Sequence, residues 1–310
     1  MTLCYIKYIK RMSRFMRQEC YRFDGGQLMI HDPEIGIFLE DAFSPTCIDL
    51  QNPRTTTVAS TETLVVREGD NNTLQIVYVQ KGGKQHGEMC YFYPDGTLQG
   101  SSFYKEGKLH GPSNFYSKEG VKLSMSWFFH GSYQGKIRQY FKNEELSSLQ
   151  RYKDGLYEGR QDYFYEDGAV KSLMSYEQGR LHGKVLLFWP NGVLKREAFF
   201  QQGVKEGCDR IWNEKNLLVD EGCFKAGKPI DKHCRWHDNG MPLEEIIYYT
   251  PKRFDKRCWD AEEQLVYEGI YDAALNFTQK TLTERGGYHI QRGRWEQHKL
   301  ILDQDVIEHA

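Results

Sequence analysis

The sequence predicts an all-β protein, an elongated, twisted solenoid of 24-residue antiparallel β-hairpin repeats. Three observations predict it. Gly83, Gly107, Gly131, Gly155, Gly179, Gly203 and Gly227 recur every 24 residues with no insertion or deletion. A second glycine follows each by four residues (Gly87, Gly111, Gly135, Gly159, Gly183, Gly207), lapsing only at Asp231. Aromatics fall nine residues after the first glycine (Phe92, Tyr116, Tyr140, Phe164, Phe188, Trp212, Trp236) and twenty-one after it (Tyr104, Phe128, Tyr152, Tyr176, Phe200, Phe224, Tyr248). Seven hits in one column would arise by chance about once in a million at this aromatic content, and self-similarity at a fixed period is the signature of a repeat architecture.

Within one repeat the elements follow in order. Offsets five to ten are rich in aromatic and β-branched residues, as in Glu88-Met89-Cys90-Tyr91-Phe92-Tyr93, which favours a strand. A turn comes next at Pro94-Asp95-Gly96, Glu166-Asp167-Gly168, Pro190-Asn191-Gly192 and Asp238-Asn239-Gly240. Asp-Gly and Asn-Gly supply the positive φ of a tight hairpin turn. A second strand runs to the offset-21 aromatic, and the two glycines of segments such as Gly179-Arg180-Leu181-His182-Gly183 make the return. Strict period-2 alternation puts offset nine on one face, stacked repeat on repeat, and offsets eight and ten on the other. Two strands per repeat advance the array by roughly 10 Å, giving about 80 Å for eight units, with no deep single core and no obvious pocket.

Composition removes several function classes. The 310 residues carry 41 Lys+Arg against 43 Asp+Glu, so the basic excess that non-specific nucleic-acid binding requires is missing. At 14% aromatic content the chain is no disordered polymer. No apolar run approaches a membrane span, the best being Val185–Trp189. The eight cysteines are scattered without a CxxC pair, which points to reduced thiols and a cytoplasmic location.

Four segments are expected. Residues 1–23 form a basic amphipathic segment, a short helix in which Lys7, Lys10, Arg11, Arg14 and Arg17 alternate with Tyr5, Ile9, Met12 and Phe15. Such a helix reads as a membrane contact for anionic lipid, as a cap on the array, or as an overextended start with Met12 or Met16 as initiator. Residues 24–82 make an N-terminal cap with a degenerate hairpin around Gly69-Asp70-Asn71-Asn72. Residues 83–272 carry the array, about eight units, the last worn and one residue short, with Trp259, Leu265 and Tyr271 in the repeat columns. Residues 273–310 close the end with two short strands.

Gly83-Lys84-Gln85-His86-Gly87, Gly107-Lys108-Leu109-His110-Gly111 and Gly179-Arg180-Leu181-His182-Gly183, each followed by an aromatic strand, resemble the MORN repeat. They are closest to its bacterial 24-residue variant, the YwqK-type family. The resemblance covers about residues 59–272 and weakens where Ser132-Tyr133-Gln134 replaces Lys-x-His and where Glu144 replaces the turn glycine. It implies an interaction scaffold or dimerisation rod, with links to anionic phospholipids and, for bacterial members, the label of antitoxin. The kinase label attached to some relatives finds no support, since no GxxxxGK[ST], HRD or DFG motif is present.

No nucleophile elbow, HExxH or Ser/His/Asp spacing occurs, so the expectation is a non-enzyme without cofactor, metal or small-molecule substrate. His86, His110 and His182 recur in equivalent turns, which favours turn structure over metal ligation. Cys223, His233, Cys234 and His237 form the one Cys/His cluster, read as a half-exposed sheet rather than a zinc site. The candidate partner surface is the offset-eight and offset-ten aromatics: Tyr91, Tyr93, Phe115, Phe141, Tyr163, Tyr165 and Trp189. The expected function is a scaffold that binds a protein partner or a second copy. The rival readings are a peripheral membrane protein on anionic phospholipid and an antitoxin neutralising a co-encoded toxin.

Overall fold

The computed structural model describes residues 19–308 apart from 25, 275, 297 and 298. Among these there is no α-helix, only strands and two short 3₁₀ turns. Residues 1–18, and with them Lys7, Lys10, Arg11, Arg14 and Arg17, lie outside the described residues. The boundary expected after residue 23 falls inside a strand, because Cys20–Asp24 is already extended. The chain forms two compact units, one running to Ala169 and taking in Tyr176–Gly179, the other comprising Val170–Ser175 and Arg180 onward.

The first unit opens with a separate three-stranded sheet, β1 (Cys20–Asp24), β2 (Gln27–Asp32) and β3 (Ile37–Ala42), paired in sequence order. The degenerate hairpin follows as β4 (Glu62–Glu68) and β5 (Leu74–Lys81), with Val65 opposite Tyr78. The repeats continue as β6 (Lys84–Phe92), β7 (Leu98–Lys105), β8 (Lys108–Tyr116) and β9 (Lys122–Phe129), each antiparallel to the next.

Two turn types alternate. The return between repeats has positive φ at both central residues, for example 51° and 82° at Glu106-Gly107 and 49° and 92° at His130-Gly131, which is the type I′ geometry that matches strand twist. The other turn closes at Tyr93–Thr97, where the Gly96 amide donates to the Tyr93 carbonyl at 2.8 Å. Glu144 sits at φ 68°, holding the conformation of the glycine it replaces.

Alternation within the first strand of each hairpin is not strict. The register shifts between offsets eight and nine, at Tyr91/Phe92, Phe115/Tyr116, Gln139/Tyr140, Leu187/Phe188 and Ile211/Trp212. A β-bulge there inserts an extra residue and re-aims the side chains beyond it, so the expected facing of offsets eight, nine and ten does not hold. The continuous row of rings is built instead from offsets 21 and two: Phe128–Tyr133, Tyr133–Tyr152, Tyr152–Tyr157 and Tyr157–Tyr176, with centroids 4.4–5.2 Å apart.

In the first unit the period-2 rule then sorts the second strands. Phe103, Trp127 and Arg151 face the N-terminal sheet, while Ser102, Tyr104, Ser126, Phe128, Gln150 and Tyr152 face the other way. Leu28, Ile30, Ile35 and Ile37 pack with Trp127 in one buried cluster, and Ile48, Val77, Val79, Cys90 and Phe92 share another. A core therefore exists in this unit, because a second layer covers one face of the hairpins.

The second unit shows a different economy. Its hairpins pair in register from Gly183↔Phe200 through Tyr288↔Glu308, and few side chains are fully buried, among them Val185, Ala198, Asp209 and Phe277. Cross-strand ion pairs tie neighbours: Lys184–Glu197, Arg210–Glu221, Lys232–Glu245 and Arg257–Glu268. The tail contributes three strands rather than two, Asn276–Leu282, Tyr288–Glu296 and Lys299–Glu308. Cys208 and Cys223 form a disulfide, against the expectation of reduced thiols. Sequence spacing hides it, because the two cysteines stand directly opposite only once the hairpin register is fixed.

Candidate functional site

Two features of the first unit bring unusual side chains together: a polar junction beneath the N-terminal sheet and an aromatic groove on the opposite face. The junction grows from the type I′ turns. His110 is fully buried, and its Nδ1 accepts the backbone N–H of His130 at 3.2 Å. The same contact recurs with other acceptors at offset three. The Asp154 amide donates to Gln134 Oε1 at 3.1 Å, the Gln178 amide to Glu158 Oε2 at 2.9 Å, and the Ala226 amide to Glu206 Oε2 at 2.7 Å. Offset three thus supplies an acceptor to the turn twenty residues on, which is why His, Gln and Glu interchange there.

His110 Nε2 lies 2.8 Å from Asp41 Oδ2 on the N-terminal sheet, and Lys105 Nζ reaches the same oxygen at 2.5 Å. Burial holds the His110 imidazole down to about 4, against the opposing pull of Asp41. For Asp41, burial would raise the carboxyl, but the Lys105 hydrogen bond and charge outweigh it and the carboxyl stays below its usual range. Asp41, His110 and His130 offer three potential metal-ligand atoms within 4.8 Å. The donor chemistry runs against a metal. A ligating histidine normally donates its second ring N–H, whereas His110 Nδ1 is an acceptor, which leaves the proton on Nε2 facing Asp41. Lys105 already occupies the carboxylate.

Nearby, Tyr21 donates to Asp32 Oδ2 at 2.7 Å and accepts the Lys136 amide at 2.8 Å. Burial together with the Asp32 carboxylate pushes the Tyr21 phenol well up. Arg151 is buried, donates to Asp162 Oδ2 at 2.8 Å and has its Nε 3.2 Å from Glu34 Oε2. The N-terminal sheet is thus pinned to the hairpins by named polar pairs, each on a side chain that alternation points toward it.

The opposite face carries the groove, a cavity of about 350 Å³. Its walls are rings, with Tyr91 and Phe115 at a 5.9 Å centroid distance and Phe128, Tyr133 and Tyr152 in the row described above. Its floor is neutral and polar. Ser102 and Ser113 share a 2.6 Å hydrogen bond, and Gln139 accepts from Ser148 at 3.1 Å. Gln150 accepts from the Tyr152 hydroxyl at 3.1 Å and donates to Tyr163 at 3.4 Å. Burial raises the phenols of Tyr91 and Tyr152, keeping them protonated donors. In a chain that is 27% charged, not one lining residue is Asp, Glu, Lys or Arg.

The seven candidate surface aromatics divide. Tyr91 and Phe115 line the groove. Tyr163 stands beside it, hydrogen-bonded by Gln150. Tyr93 and Trp189 are spent on structure, donating across one repeat to the carbonyls of Tyr116 and Trp212, both at 2.9 Å. Phe141 and Tyr165 are half-buried at turn ends, where their backbones close the hairpins. His233 and His237 lie 2.8 Å and 3.3 Å from the backbone carbonyls of Cys223 and Trp259 and are not brought together. Ser102, Ser113 and Gln150 were not picked out by sequence reasoning. Their signal is small polar residues at alternate positions of otherwise aromatic strands.

With fold and site in view, the chain is a hairpin-repeat protein, and two stretches, residues 85–106 and 181–202, match the family described as MORN repeat variant. The matches begin at the same offset and stand four whole repeats apart, in agreement with the 24-residue period. No curated protein matches the chain. Among solved structures it is similar to TcdB2-TccC3-TEV, at 11% identity and a TM-score of 0.19, over 91% of this chain and 16% of that one. It is also similar to TcdB2-TccC3, at 12% identity and a TM-score of 0.16, over 90% of this chain and 18% of that one. The chain therefore spans less than a fifth of the length of either. No helix among the described residues is long and apolar enough to cross a membrane.

Proposed function

We propose that this chain is a non-enzymatic interaction scaffold whose repeats present recurring side chains to a protein partner or to a second copy. The observation that carries this reading is exposure by repeat column. In the second unit Leu217 and Met241 occupy the same offset one repeat apart and are each 39% exposed, and Phe199 and Val204 are each 45% exposed. Large apolar side chains left in water in register are what a partner covers. The non-enzymatic part is supported by the groove, whose lining contains hydroxyls, amides and rings but no histidine or carboxylate to serve as a base.

Affinity capture on the full chain and on a Leu217→Lys/Met241→Lys variant, with light scattering for self-association, tests it. A protein or second copy held by the natural chain and lost by the variant is the expected result. Equal retention by both rejects this surface.

A further inference from the structure

We propose that the groove of the first unit binds a neutral oligosaccharide chain. The inference goes beyond the scaffold reading and rests on a different surface. The cavity of about 350 Å³ falls within the range of built ligand sites, and its chemistry is selective. A lipid phosphate or a charged peptide needs a counter-charge once desolvated, and the lining has none. A sugar ring presents an apolar C–H face and a rim of hydroxyls that each donate and accept. The groove answers both. Phe115, Tyr133 and Tyr152 supply ring faces, and Ser102, Ser113 and Gln150 supply neutral groups that both donate and accept.

A proline-rich peptide also favours aromatic grooves, but its carbonyls ask for donors alone. The floor here pairs each donor with an acceptor, as in the Ser102–Ser113 and Tyr152–Gln150 contacts. Phe115 and Tyr133 are 37% and 39% exposed at the mouth, placed to stack on an arriving ring.

The test is calorimetric titration of the full chain with cellohexaose, maltohexaose and chitohexaose, alongside a proline decapeptide and phosphatidic-acid vesicles. Binding of at least one hexasaccharide, unchanged by high salt, is expected. Phe115→Ala and Tyr133→Ala should each weaken it on the order of tenfold, while Tyr133→Phe keeps it. Leu217→Lys/Met241→Lys should leave sugar binding intact, so the two proposals fail separately. No hexasaccharide binding, binding of the peptide or vesicles alone, or sugar binding indifferent to both alanine variants would overturn the proposal. Thermal melts of the variants establish that each is folded.

Discussion

His110 shows how one residue position serves two masters. Its Nδ1 closes the turn at His130, a duty that Gln134 and Glu206 perform in other repeats, while its Nε2 faces Asp41. A glutamine can make both contacts, with Oε1 accepting and the amide donating. His110→Gln should therefore stay within about 0.5 kcal/mol of the natural chain, whereas His110→Leu strands a buried amide and costs about 1–3 kcal/mol. The histidine also leaves a pH signature. Folding lowers its pKa from 6.5 to about 4, so the unfolded chain takes up the proton first. Stability is then full above about 6.5, falls as pH drops toward 4, and is wholly lost below that. Asp41, also lowered, acts in the same direction at still lower pH. Urea titrations between pH 7 and 4 should show the slope in the natural chain and a shallower one in His110→Gln. An unchanged slope would place the titration elsewhere.

Elements are joined by glycines whose duties differ. Gly192 lies at φ 80° with nothing within 4 Å of an added Cβ, so only backbone conformation holds it. Gly135 lies at φ 73°, and a Cβ there would sit 2.8 Å from Tyr21 Cζ, where β1 crosses the hairpins. Gly159 does the same for Ile35, whose Cγ2 would be 2.8 Å away. Gly192→Ala should cost about 1 kcal/mol from positive φ. Gly135→Ala should cost on the order of 2 kcal/mol more, because it also displaces a buried ring. Equal costs in chemical denaturation would mean that the close approach of β1 contributes nothing.

For the molecule as a whole, the two units hold themselves together by different means. Two layers around Val77, Val79, Cys90 and Trp127 give the first a buried core, while the second relies on strand neighbours, ion-pair rows and one disulfide. A nearest-neighbour array frays from its ends, whereas a two-layer unit opens cooperatively. Amide exchange should accordingly be slowest in β5, β6 and β9 and fastest in Tyr288–Glu296 and Lys299–Glu308. Uniform protection along the chain would contradict this division.

Much of this was legible without the third dimension. The 24-residue period, the Asp-Gly and Asn-Gly turns and the columns of rings are local codes, read by backbone conformation within a few residues, and the strands lie where they put them. So was the reading of the offset-three histidines as turn residues, since the same turn recurs with Gln and Glu. What only the tertiary structure decided depends on contacts between distant positions. Tyr21 meets Lys136 across 115 residues, and Asp41 meets Lys105 across 64. No periodicity announces that an N-terminal sheet will lie over one face of the repeats. The groove likewise exists only because that sheet covers the opposite face and a bulge at offsets eight and nine turns the rings. Sequence alone gives each hairpin its shape. Which face is buried, and which is left open to a ligand, follows from long-range packing.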